Sequence, residues 1–182
     1  MSSPRRADAA SNRARLVEVA REQIARDPDV ALTAIAQRAG VGQGTLYRHF
    51  PTRADLLAEV YRADVQELVA AAPALLAEHD PVEALRRWFD RVAGYAQVKR
   101  GVMAAVELAT RQQLAEHSAG PIGDAVTLLL DAGRAAGVLR PDVDARDVVV
   151  LIGYLSRLEP AEFDARARHL LGVVLDGLRR VG

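Results

Sequence analysis

The densest group of side chains able to make specific polar contacts lies in QGTLYRH, residues 43–49. Gln43 carries a planar amide that can pair bidentately with an adenine edge. Thr45 offers a hydroxyl for a base edge and a methyl for the thymine methyl group. Gly44, between them, has no side chain, so the backbone can approach a groove closely there. Arg48 belongs to the same chemistry, with base edges and DNA backbone both open to it. The plainer reading of Gln43 and Thr45 is ordinary solvation of an early helical turn. Catalysis has less to build on. His49, His79, His117 and His169 are scattered, without HxxxH or ExxH spacing, and indicate no metal site. The chain has no Walker loop, no GxGxxG after a strand and no GxSxG. It also has no cysteine, which excludes disulfides, cysteine-built zinc fingers and thiol chemistry. Arg86-Arg87 and Arg179-Arg180 read as solvated helix faces rather than substrate clamps. No catalytic residue, metal or cofactor is assigned, and an enzyme is not expected.

The polar group needs a rigid mount, and TAIAQRAGVGQGTLYRHFPTR, residues 33–53, supplies one. Thr33 is read as the N-cap of a short helix with Ile35, Ala36 and Ala39 on its apolar face, and Gly40 ends it. Val41 plugs the corner, and a second helix over Gln43 to His49 turns Leu46 and Phe50 inward. Two short helices across a glycine turn form a helix-turn-helix, which lays its second helix in the DNA major groove. Before it, residues 1–10 are expected to form a disordered arm. Ser11 or Asn12 caps a helix over Arg13 to Arg26, with Leu16, Val19, Ala20 and Ile24 on one face, until Asp27-Pro28-Asp29 breaks it. After it, Thr52 and Asp55 have capping-box spacing and open a long helix through Leu68 that Pro73 should end or kink near Ala70. That helix appears in both halves of the chain and offers a mechanical route between them. Arg5, Arg6 and Arg13 have either the DNA or plain solvent open to them.

At 182 residues, half of them apolar, the chain can bury a real core. Its formal charge is zero but unevenly spread. Residues 1–62 hold ten arginines against seven acids, so the basic surplus sits with the helix-turn-helix. No apolar run approaches the roughly twenty residues of a membrane span, and the N-terminus lacks a signal-peptide core. A cytoplasmic, all-α protein is expected. The second half reads as consecutive helices: Pro81 to about Val98, broken by Lys99-Arg100-Gly101; one carrying Met103 to Leu108; a new start at Gly120-Pro121 that stops at Gly137; Val143-Asp144 to Arg157; and Glu159-Pro160 to about Arg180. Val148 to Leu155 is apolar almost all round, and the last helix has a broad apolar face with Gly172 and Gly177 beside it. This predicts a two-fold dimer through a four-helix bundle, with burial in a monomer core as the alternative. Trp88, Phe89, Tyr95, Met103 and Tyr154 are candidates for a cavity between helices, with Glu107, Arg111 and His117 as its polar contacts. Ordinary core packing is the competing reading for each.

The pattern GVGQGTLYRHFPTRADLL resembles the TetR family of one-component bacterial transcription regulators. The resemblance rests on Thr33 before the first helix, Ile35-Ala36, Ala39-Gly40-Val41, Thr45-Leu46-Tyr47, His49-Phe50, Arg53 and Leu56-Leu57, and covers about residues 11–62. Gly42 stands where the family commonly has a serine or threonine cap, and Arg53 where lysine is commoner. The resemblance implies phosphate contacts from Tyr47, His49 and Arg53, with a further hydroxyl contact from Thr33. Their chemistry suits this, since phenol, imidazole and guanidinium groups can all donate to phosphate oxygens. Ring packing for Tyr47 and a plain surface position for His49 are the alternatives. It also implies a DNA-binding domain over 11–53 and an effector-binding and dimerisation domain over 54–182. The regulator expected is a homodimer, most often a repressor, on a pseudo-palindromic double-stranded DNA operator, released by a small-molecule effector. A helical adaptor using the motif for protein contact is the alternative.

Overall fold

The computed structural model describes residues 4–27, 29–159 and 161–180, and no strand occurs among them. The chain forms α1 (Pro4–Arg26), α2 (Leu32–Arg38), α3 (Gln43–His49), α4 (Arg53–Glu78), α5 (Pro81–Ala105), α6 (Leu108–Ala135), α7 (Ala145–Gly153), a 3₁₀ turn (Tyr154–Arg157) and α8 (Phe163–Leu178). These make two compact units. One is built from α1 to α3, α4 as far as Ala63, and the segment Gly101–Leu114; the other from Asp64–Arg100 and from Ala115 onward.

In the first unit α1 begins at Pro4, so residues 4–10 are helical where an arm without structure is expected. Proline suits a first helical position, because its fixed φ is helical and its missing N–H would be unpaired there. Ala9 and Ala10 then favour continuation over a fresh cap at Ser11 or Asn12. Residues 1–3, Pro28 and the side chains of Arg5 and Arg6 lie outside the described residues. Leu16, Ala20 and Ile24 of α1 are buried with Ile35, Ala36, Leu46, Phe50, Leu57 and Tyr61. This core takes the apolar face of each short helix and fixes α3 on its outside. At Gly101 a Cβ would stand 2.9 Å from the Ile24 Cγ2 and 3.2 Å from the Ile24 carbonyl oxygen. Close packing against α1 explains that glycine, and α5 runs through Lys99-Arg100-Gly101 without the expected break.

The second unit departs from expectation at two prolines. α4 continues through Pro73 to Glu78, and α6 through Gly120-Pro121 from Leu108 to Ala135. Pro73 and Pro121 are both on exposed faces. Water can reach such a face, which lowers the cost of the missing backbone donor. α6 does stop at Gly137, whose φ of +71° favours glycine. The chain then returns close to α6: the N–H of Val138 donates to the Gly133 carbonyl at 3.0 Å. Arg140 N–H to Leu178 and Arg180 N–H to Val138, each 3.0 Å, pin the end of α8 to this loop.

α7 is opened by a reciprocal cap. The Asp144 carboxylate accepts from the Asp147 N–H, and the Asp147 carboxylate accepts from the Asp144 N–H, each at 3.0 Å. The helix ends at Gly153 and tightens into a 3₁₀ turn instead of running on to Arg157. The Ser156 hydroxyl donates to the Gly153 carbonyl at 3.0 Å, and glycine is a weak helix former at the junction. α8 begins at Phe163, later than Glu159-Pro160 predicts, because Glu162 N–H first closes a turn on the Glu159 carbonyl at 3.2 Å. Pro160 lies outside the described residues. Asp144→Ala removes one half of the α7 cap and is expected to cost about 0.5–2 kcal/mol in a denaturant titration.

Candidate nucleic-acid interface and effector cavity

The corner that carries α3 is built from backbone hydrogen bonds. Gly40 adopts φ +65°. Its N–H donates to the Gln37 carbonyl at 3.1 Å, and Val41 N–H returns to Ala36 at 2.9 Å. Gly42 is extended and caps α3 through its carbonyl, which accepts from Thr45 at 2.9 Å and Leu46 at 3.1 Å. No side-chain cap bond forms there, as glycine dictates. Leu46 and Phe50 are buried, so the opposite face of the seven-residue helix is held outward by packing.

That outward face carries the predicted group. Gln43, Gly44, Tyr47 and Arg48 are exposed, while Thr45 and His49 are half-buried. Tyr47 is 47 % exposed, which removes the alternative of a ring packed in the core. A Cβ at Gly44 would meet nothing within 4 Å, so this stretch of backbone is open to approach. Arg48 Nε donates to the Gly44 carbonyl at 3.0 Å, laying the guanidinium along α3. Thr45, Arg48 and His49 line a surface hollow with Asp8, Ala9 and Asn12 of α1.

Three basic or polar positions have other contacts. Arg53 opens α4 beside Thr52, whose N–H and hydroxyl both donate to the Asp55 carboxylate, at 3.0 Å and 2.7 Å. The Arg53 guanidinium itself donates to the Val30 carbonyl, tying it to the α1–α2 connection. Arg13 is ion-paired to Glu59 and lies 4.9 Å from the Phe50 ring centre, so it is committed inside the unit rather than held out towards DNA. The pair's hydrogen bond holds the Glu59 carboxyl below its usual range. Thr33 is not the N-cap of α2. Ala31 caps it, with the N–H groups of Ala34 and Ile35 closing on the Ala31 carbonyl at 3.0 and 3.2 Å, and Thr33 sits exposed in the first turn.

The second unit holds a cavity of about 100 Å³ lined by Leu68 of α4, by Val92, Tyr95, Ala96 and Lys99 of α5, by Ala115, Ser118, Ala119 and Ile122 of α6, and by Val149, Ile152, Gly153 and Ser156. Of the residues predicted for such a cavity, Tyr95 alone lines it. Trp88 and Phe89 are core, and the Trp88 indole N–H donates to the Leu68 carbonyl at 2.9 Å. Met103, Glu107 and Arg111 fall in the segment belonging to the first unit, where Arg111 donates to the Val106 carbonyl at 2.9 Å. His117 is exposed, and Tyr154 is on an outer groove. Beside Tyr95, the polar side chains in the lining are Lys99, Ser118 and Ser156. Lys99 stands four residues after Tyr95 on the apolar stripe of α5, a charge on a buried face, and that spacing is the signal by which sequence could have found it.

The outer groove lies between α7 and α8, lined by Val150, Leu151, Tyr154, Leu170, Val173 and Val174. Val150, Leu151, Tyr154 and Val173 are 67, 52, 60 and 55 % exposed. Among the described residues no His, Asp or Glu cluster could hold a metal, and no helix is long and apolar enough to cross a membrane.

Comparison with known proteins gives matches along most of the chain. Residues 16–60 match the profile described as bacterial regulatory proteins, tetR family. Residues 80–180 match the C-terminal domain of SbtR-like transcriptional regulators. A TetR transcriptional regulator from Streptomyces coelicolor is 37 % identical, with a TM-score of 0.81 over 93 % of this chain and 99 % of that one. A TetR transcription regulatory protein from Mycobacterium vanbaalenii is 33 % identical, with a TM-score of 0.77 over 97 % and 100 % of the two chains. An HTH-type transcriptional regulator of Staphylococcus aureus is 35 % identical over 66 residues, 35 % of this chain. The match spans only 36 % of that relative's length.

Proposed function

The chain belongs to the TetR family of bacterial regulatory proteins, DNA-binding transcriptional regulators, and from that premise we propose that it is a homodimeric, effector-released cytoplasmic repressor. The observation that carries this reading is α3: a short helix held by Leu46 and Phe50 with Gln43, Gly44, Tyr47 and Arg48 facing solvent. Gln43 and Thr45 read base edges, and Gly44 lets the backbone come close to the groove. Tyr47, His49, Arg53 and Thr33 contact phosphates. Arg48 must first release the Gly44 carbonyl to reach either. Arg53 binds with a guanidinium already anchored on Val30, which limits the side-chain freedom it loses on contact.

The dimer forms through α7 and α8, and the apolar groove between them supports it. Gly172 and Gly177 support it too. Each sits inside α8 at a cost of about 1 kcal/mol against alanine, and a Cβ at either would meet nothing within 4 Å. Among the described residues no contact at these positions accounts for them, and close approach of a partner helix would. A two-fold pair of α3 helices reads half-sites about 34 Å apart, hence a pseudo-palindromic operator. The DNA-binding domain corresponds to residues 11–53 and the effector and dimer domain to 54–182.

Selection of bound sequences from random duplex DNA tests the reading directly. A pseudo-palindrome is the expected result; no enriched sequence would overturn it. Gln43→Ala should then relax preference at one position of each half-site, costing about 1–3 kcal/mol there. An unchanged selection profile would remove Gln43 from base reading.

A further inference from the structure

The lining of the inner cavity is apolar except at four side chains, Lys99, Tyr95, Ser118 and Ser156, and the charge among them restricts what can bind. Lys99 brings the one charge among the lining residues. Its ammonium lies 5.8 Å from the Tyr95 ring centre, and among the described residues it has no ion pair or hydrogen-bond acceptor. Burial pushes its pKa below the usual lysine range, the mark of a cation left short of solvent. An ammonium has three donors and no acceptor, so its complement is an acceptor, best an anion. The two hydroxyls have committed their protons: Ser118 donates to the Ala115 carbonyl and Ser156 to the Gly153 carbonyl, both at 3.0 Å. Lys99 balances a single negative charge, and a dianion such as a phosphate monoester would bring a second, unpaired charge against a largely apolar lining. The remaining wall, with Leu68, Val92, Ile122, Val149 and Ile152, suits a hydrocarbon body. At about 100 Å³ the space is well below that of drug-sized sites.

We propose that this cavity takes a compact apolar monocarboxylate, paired through its carboxylate with Lys99. That this ligand is the effector rests on the regulator reading above; that it binds does not. The test is calorimetric titration of the full chain with hexanoate, hexanamide and 1-hexanol, on the wild type and on Lys99→Met and Lys99→Arg, with folding checked by circular dichroism. Hexanoate is expected to bind the wild type at least tenfold more tightly than the other two. Lys99→Met should erase that preference, and Lys99→Arg should keep it. Equal binding of amide and acid, no binding of hexanoate, or an undiminished preference in a folded Lys99→Met protein would each overturn the proposal. Operator binding by the same wild-type preparation, with and without hexanoate, separates the two readings. Operator binding without any hexanoate affinity defeats the ligand class alone. Hexanoate affinity without operator binding defeats the regulator reading alone.

Discussion

Leu151→Glu is expected to convert a dimer into a species of one chain's mass in sedimentation at micromolar concentration, and to cost operator binding about 10²–10⁴-fold. Leu151 is half exposed in the groove between α7 and α8, so a carboxylate there is tolerated by the isolated chain. In the proposed dimer the same carboxylate would be buried against apolar partner surface without a counter-ion. The loss in DNA affinity follows because two linked half-site contacts become one, and the second no longer benefits from tethering to the first. Circular dichroism should show an unchanged helix content. A variant that remained a dimer with full operator affinity would show that the pair forms elsewhere; a wild-type chain that sedimented alone would end the dimer altogether.

The second large effect is on stability. Trp88 is fully buried in the second unit, and its indole N–H donates to the Leu68 carbonyl at 2.9 Å. Trp88→Ala should lower stability by about 3–5 kcal/mol, through lost burial and an unfilled space between helices. Trp88→Phe restores much of the ring but not the donor, and should sit between the two. Because Leu68 also lines the cavity, the alanine variant should weaken hexanoate binding even under conditions where it remains folded. Chemical denaturation of all three proteins measures the order. A Trp88→Ala loss below about 1 kcal/mol would mean that the site collapses around the missing ring.

The first half of the chain was readable because its determinants are local. Gly40 needs its positive φ, Thr52 and Asp55 meet across three residues, and Leu46 and Phe50 fall on one side of a single short helix. The second half was read less well for an equally physical reason. Gly101 looks like a helix breaker until Ile24, far away in sequence, is seen against it. Pro73 and Pro121 look like helix ends unless one knows that their faces meet solvent. The aromatic stripe of α5 contained Tyr95, which does line the cavity, beside Trp88 and Phe89, which do not. Periodicity identifies the buried side of a helix but not which part of it faces empty space. Lys99-Arg100-Gly101 reads as a break by composition, whereas the place of Lys99 in the same stripe sets a charge on the buried side of α5.

The nine residues of α7 are a thin partition. Val149 lines the cavity, Val150 and Leu151 line the groove, and Ile152 lines both. A biosensor engineer who widens the chamber by trimming Val149 would be reshaping a wall whose far side, under the proposed assembly, is a subunit seam. Chemical taste and pairing strength would then drift together, and a library selected for one should be counter-screened for the other.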